Sequence, residues 1–322
     1  MITVWELGSE KKEVNTTSFE RWQIAKTLSW VDCFYLSAKE LENISNKTKI
    51  PVDELKNSID PIRRPHVVTF DNYSLIIFRG LYEEEGKMKT APVGIFFFEK
   101  DILTIHDKPI LGLESLRKLP KKNILDMFRK GAPYFVYRFM SFVIDDFFTL
   151  MEEVEDEISR LEDQVVHEPN ESVTKTIFVE KRNLIAIYKS LVANREVLSA
   201  LEKQYIREFK KEDLRLLRDL YNDTTQLIDL VTTHRDMLTS ILDMYLSSIS
   251  NNLNKVMKTL TIISAFVMVP TMIAGIYGMN FQKTSAWNMP ELYWAHGYLF
   301  ALGIMVFAVI LLALWFRKRG WM

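Results

Sequence analysis

Several things are scarce in this 322-residue sequence, and each scarcity excludes something. There is one cysteine, Cys33, so no intrachain disulfide can form and no cysteine cluster can hold a metal. A lone cysteine of this kind reads as a small core residue in a reducing compartment. The formal net charge is −1, which gives no general basic bias toward nucleic acid. The five histidines are scattered, and none pairs with another at ligand spacing. Neither a phosphate-binding glycine loop nor a catalytic constellation is present, so coupling to ATP and enzymatic chemistry both lack a sequence basis. The N-terminus is polar again within a few residues and does not read as a secretory signal.

Breakers are missing from the middle of the chain. No glycine lies between Gly131 and Gly275, and no proline between Pro169 and Pro270. Such a stretch favours long helices. Charge is missing near the end. None lies between Lys258 and Lys283, and none between Glu291 and Arg317, although His296 stands near the start of that stretch. Each of these segments exceeds the ~20 residues that span a bilayer core. Lys255 and Lys258 precede the first span, and Arg317, Lys318 and Arg319 follow the second, while the connecting loop has only Lys283. By the positive-inside rule both termini are expected in the cytoplasm and the loop outside.

The first ~130 residues carry alternating or continuous apolar runs with turn signals between them, a pattern of mixed helix and strand. Strands are expected at 30–36, 66–70, 73–79, 93–98 and 102–106. Short helices are expected near 38–46, 52–58 and 110–119. Further on, Leu150, Val154, Ile158, Leu161 and Val165 recur at helical spacing, opposite an acidic face from Glu152 to Asp163. After the turn at His167-Glu168-Pro169-Asn170, a second stripe runs through Leu184, Ile187, Leu191, Asn194, Leu198 and Leu201. An antiparallel helical hairpin follows from this. From Lys211 to Gly278 a third helix would be roughly 100 Å long at 1.5 Å per residue. A helix of that length requires association with copies of itself.

The long helix carries a stripe with a 3.5-residue period: Ser247, Ser250, Asn254, Met257, Thr261, Ser264, Met268, Thr271, Gly275 and Gly278. Small and hydroxylated residues suit tight helix packing in a membrane, and they equally suit a pore lining. Two features favour the pore. The stripe continues below the membrane in polar residues, and it ends in a loop of polar residues. Met257, Leu260 and Met268 could form an apolar constriction that gates by dewetting.

Tyr277-Gly278-Met279-Asn280 ends the first span, and Met289-Pro290-Glu291 precedes the second. In that position these motifs resemble the signature of the CorA magnesium transporter family. The resemblance implies an α+β cytoplasmic domain (1–130), an acidic helical hairpin (131–210), and a stalk helix continuing into the first span (211–280). An outer loop (281–292), a second span (293–316) and a basic cytoplasmic tail (317–322) complete the plan. It implies a funnel-shaped homopentamer in the cell membrane, surrounded by lipid. Mg²⁺ would be both transported and regulatory, with Co²⁺ or Ni²⁺ as passengers. Gly278, Met279 and Asn280 would form the selectivity filter. Asn254, Met257, Leu260, Ser264, Met268, Thr271 and Gly275 would line the pore. Asp219 and Asp243 on the stalk match the family's acidic positions, and Asp60 substitutes for the partner acid, with Glu54 as another choice. Met289, Pro290 and Glu291 belong to the loop, where Glu291 could attract cations. The alternatives are transport of Zn²⁺ or another divalent cation on the same plan, and a membrane-anchored coiled-coil scaffold with no pore.

Overall fold

The computed structural model describes all residues except 9–12, 25, 168–169, 204–208, 281–287 and 322. The chain forms two compact units, Met1–Leu242 and Asp243–Met322.

Unit one is built on a seven-stranded sheet. Its strands are β1 (Ile2–Leu7), β2 (Val14–Thr17), β3 (Ser29–Phe34), β4 (Val67–Thr69), β5 (Ser74–Glu84), β6 (Lys87–Phe97) and β7 (Asp101–His106). Their order is β2-β1-β3-β7-β6-β5-β4. Only β3 and β7 are parallel; every other neighbouring pair is antiparallel. β5 and β6 run on past their expected ends at 79 and 93 and meet in a two-residue turn at Glu85-Gly86. Both turn residues take positive φ (55° and 70°), the geometry that matches the twist of a tight hairpin. β3 stops at Phe34 because Tyr35 turns to φ 49°. Ser37 then caps α1 (Ala38–Thr48) in a reciprocal capping box with Glu40.

α1 and α2 (Val52–Asn57) contribute Leu41, Ile44 and Leu55 to a core with Val31, Cys33, Leu75, Ile77, Phe96, Leu103 and Ile105. Cys33 is fully buried there, and burial pushes its thiol well above the usual range. α3 (Leu111–Arg117), α4 (Lys121–Lys130), α5 (Ala132–His167) and α6 (Glu171–Glu202) complete the unit together with the start of α7. α3, α5 and α6 all pack on β5. Asp32, in β3 and 1 % exposed, accepts from Thr104 (2.6 Å) and from Arg117 Nε (2.6 Å), tying α3 to the sheet.

α5 and α6 match the expected hairpin. Leu150, Val154, Ile158, Leu161 and Val165 are buried, as are all six members of the second stripe, while the acidic face is turned to solvent. Asn170 caps α6 by accepting from the backbone N–H groups of Ser172 and Val173. Glu168-Pro169 lies outside the described residues.

α7 runs from Lys211 to Tyr277, and α8 from Gly297 to Lys318. Both are long and apolar enough to cross a membrane. α8 begins four residues after the expected start at 293, because Pro290–Tyr293 forms a short 3-10 helix. Aromatic rings cluster near both ends of α8. Trp294 and Phe300 stand 5.3 Å apart at one end; at the other, Phe316 stacks on Trp321 and meets Trp315 at a tilt. Such belts suit the two membrane–water interfaces.

Candidate functional site: the seam of the first span and its outer end

Within the second unit, one face of α7 is committed to its own chain. Phe266 meets Phe316 edge to face at 6.0 Å. Lys258 Nζ donates to the Gly320 carbonyl (2.8 Å) and sits 6.0 Å from the Trp321 ring. Tyr277 Oη donates to Glu291 Oε1 at 2.9 Å. These residues are spaced so that they share one side of the helix.

Among the described residues, the other side has no partner within the chain. Asn254, Met257, Leu260, Ser264, Met268, Thr271 and Gly275 are all exposed, Met257 by 58 % and Met268 by 62 %. Ser264, Met268 and Thr271 line a shallow groove along this face. A Cβ built on Gly275 would meet nothing within 4 Å. The hydroxyls here are already oriented: Thr261 donates to the Met257 carbonyl (2.8 Å) and Thr271 to that of Val267 (2.7 Å). With their protons given to the helix, these oxygens turn lone pairs outward. The helix continues through Pro270, which has no N–H to donate.

At the outer end, Gly278 N–H donates to the Ala274 carbonyl (2.9 Å) and Met279 N–H to that of Ile276 (3.1 Å). Asn280 follows, exposed, just beyond the helix. Lys283, the loop's only base, lies outside the described residues. Met289 takes φ 50° and leads into Pro290 and Glu291. The Glu291 carbonyl accepts from Trp294 N–H (3.2 Å). It also abuts Gly297, where a Cβ would sit 2.0 Å from that oxygen, so only glycine fits. Glu291 is thus held through its side chain and its backbone. This was not legible in the sequence, where Glu291 reads as a free rim charge.

The stalk acids divide between the units. Asp219 is exposed on α7 in unit one. Asp223, one turn on, is shifted upward by burial and by the charges of Asp219 and Asp145. Asp145 is itself shifted upward by burial, partly countered by Arg138. Burial and neighbouring Asp145 push Asp146 up to about 7. The structure therefore adds Asp145 and Asp223 to Asp219 as one acidic field between α5 and α7. The doublet Asp145-Asp146 inside an apolar helical stripe was the available signal. Asp243 is exposed in unit two. Asp60 is half-buried, and its Oδ1 accepts from Ile62 N–H (2.9 Å), which makes it a turn-forming residue. Glu54 lies 3.8 Å from Arg63. Among the described residues of the single chain, no three His, Cys, Asp or Glu side chains converge as a metal site.

The fold and sequence have clear relatives. A cobalt/magnesium transport protein CorA of Methanocaldococcus jannaschii is 33 % identical over 327 residues, covering 100 % of both chains. The protein of that name from Thermotoga maritima is 31 % identical, covering 97 % of this chain and 90 % of its own. The complete structure of the M. jannaschii CorA magnesium transporter superposes with a TM-score of 0.87 at 29 % identity, covering 100 % of this chain and 99 % of that one. The family described as CorA-like Mg²⁺ transporter protein matches residues 25–318, and the chain belongs to that family.

Proposed function

We propose that this protein is a membrane channel that passes hydrated Mg²⁺ down its electrochemical gradient, and that Co²⁺ passes by the same route. It is a transporter and not an enzyme, in keeping with its family. The observation that carries the reading is the unpartnered seam of α7, which ends at Gly278-Met279-Asn280 while the opposite face is occupied by α8. A polar face left open along a membrane helix requires either a partner or water. Five copies around an axis supply both, and we take the assembly to be a homopentamer.

Mg²⁺ dehydrates reluctantly and holds its waters in an octahedron. A ring of neutral acceptors suits such an ion, because it receives water hydrogens without stripping the shell or trapping the charge. Asn280 side chains supply that ring at the mouth. The outward lone pairs of Thr261 and Thr271 continue it along the pore. Met257, Leu260 and Met268 form the apolar constriction.

Regulation is assigned to the acids of the first unit. The field around Asp219, Asp223 and Asp145 favours a divalent cation, and the described residues of the single chain bring no complete ligand set to it. A neighbouring subunit completes the site, so that internal Mg²⁺ bridges subunits and holds the pore closed. The committed turn role of Asp60 makes it a weaker partner than an acid with both oxygens free. Both termini are cytoplasmic in this arrangement, consistent with the basic ends of the spans.

Flux into liposomes tests the reading. Asn280→Ala is expected to abolish selective Mg²⁺ uptake while the protein still inserts and assembles. Unchanged flux and selectivity in that variant would remove Asn280 from the filter, and absence of flux from the parent protein would favour a scaffold. Measuring Mg²⁺, Co²⁺, Ni²⁺ and Zn²⁺ side by side ranks the ions.

A further inference from the structure

A cavity of about 570 Å³ lies in the first unit, between the segment 62–65, β5, β6 and the middle of α6. Four bases line it: Arg63, Arg64, Arg79 and Lys189. One acid, Glu196, lines it with them. Two hydroxyls, those of Thr90 and Ser190, lie in the wall 2.8 Å from each other.

Arg79 is the unusual member. Its backbone is clamped on both sides by Asn194 of α6, which accepts from Arg79 N–H (2.9 Å) and donates to its carbonyl (2.8 Å). Its guanidinium is aimed by two neutral carbonyls, Pro61 (3.1 Å) and Thr90 (3.3 Å). Its Nε–H is out of contact with solvent and, among the described residues, meets no acceptor. No carboxylate pairs with it among the described residues. A partly buried cation whose hydrogen-bond partners are neutral carbonyls is poorly compensated. A fixed, unpaired guanidinium beside further bases and hydroxyls is the chemistry that recognises an oxyanion.

We propose that this cavity binds a small phosphate-bearing anion, with Arg79 as the fixed anchor and Arg64 and Lys189 as exposed charges at the rim. Inorganic phosphate, pyrophosphate and a nucleoside triphosphate share that chemistry, and the cavity is roomy enough for the largest of them. The reading does not depend on ion transport by the second unit.

The test is isothermal titration of the full chain in detergent, with sodium phosphate, sodium pyrophosphate and sodium ATP in separate arms. EDTA is present throughout, so that no anion is carried in by Mg²⁺. At least one of the three is expected to bind with one site per chain and to weaken as salt is raised. Arg64→Glu and Lys189→Glu, both at exposed positions, are expected to weaken binding roughly tenfold each while the unfolding temperature stays that of the parent. Arg79→Lys keeps the charge without the fork and is expected to bind more weakly than the parent. The three arms show whether the site takes a single phosphate, a diphosphate or a nucleotide. Absence of binding by all three at millimolar concentration would overturn the proposal. So would binding that appears only when Mg²⁺ is restored, or binding unchanged in both charge reversals.

Discussion

Tyr277 and Glu291 are joined by a hydrogen bond of 2.9 Å, from the last residue of the first membrane helix to the segment that leads into the second. Gly278 follows Tyr277 directly, so the bond sets where the proposed filter begins. In this role Glu291 is a strut. Tyr277→Phe and Glu291→Ala should each lower Mg²⁺ flux several-fold, and combining them should cost little more than either alone. Glu291→Gln keeps an acceptor oxygen and should retain most of the flux. If Glu291 acted as a cation-attracting rim charge, Glu291→Gln would instead be the damaging change, and most so at low salt.

Gly275 faces open space in the single chain, so added bulk there does not disturb the packing of α7 on α8. Gly275→Leu should therefore leave expression and thermal stability near the parent's and abolish flux, because the added side chains would meet on the proposed pore axis. Val306 is exposed on α8. Val306→Phe, measured alongside, should conduct. Flux through the Gly275 variant at the parent's rate would place the pore elsewhere.

Asp219 is the proposed regulatory acid. Asp219→Ala should raise the internal Mg²⁺ concentration needed to shut the channel, leaving the maximal rate intact. A dose–response curve that overlays the parent's would remove Asp219 from the regulatory site.

Asp146 has its folded-state pKa pushed up to about 7 by burial and by Asp145, with only a backbone hydrogen bond from Gly112 opposing. The folded protein therefore binds a proton more readily than the unfolded chain between pH ~4 and 7. Its contribution favours folding at the acid end of that window and is lost as pH rises through 7. Asp146→Asn should flatten the fall in stability across that range and raise the unfolding temperature at pH 8. Denaturant titrations of both proteins at pH 5, 6, 7 and 8 check the sign.

Asn194 is fully buried and satisfies both backbone groups of Arg79, where β5 runs on beyond its partner β4. Asn194→Leu leaves those groups without partners. The cost should be about 2–4 kcal/mol, from two buried orphaned polar groups. Urea unfolding of the variant measures it.

How much of this could be read from the residues depends on how local the determinants are. The hairpin helices and the spans were legible because their signals are periodic and long, repeated over many turns of one helix. β1 and β2 were not anticipated. β2 is a short, polar edge strand, and β1 owes its place to pairing with β3, more than twenty residues away. α4 escaped notice because its lysine-rich start, after Pro120, resembles a loop. The seam was legible as a 3.5-residue period, but the same pattern serves packing as well as conduction. Only the structure showed that α8 occupies the opposite face.

The sequence alone determined the helix that crosses the membrane, the period of its polar face and the motif at its end, since all three are written in consecutive residues. The tertiary structure decided what those residues touch. It joined Glu291 to the Tyr277 hydroxyl, Asp60 to the backbone of Ile62, and Asn194 to both backbone groups of Arg79. Each of these depends on a hydrogen bond whose geometry is set by the folded backbone. Even for the Asp60 bond, which spans only two residues, the sequence names the donor and acceptor types but not the pairing.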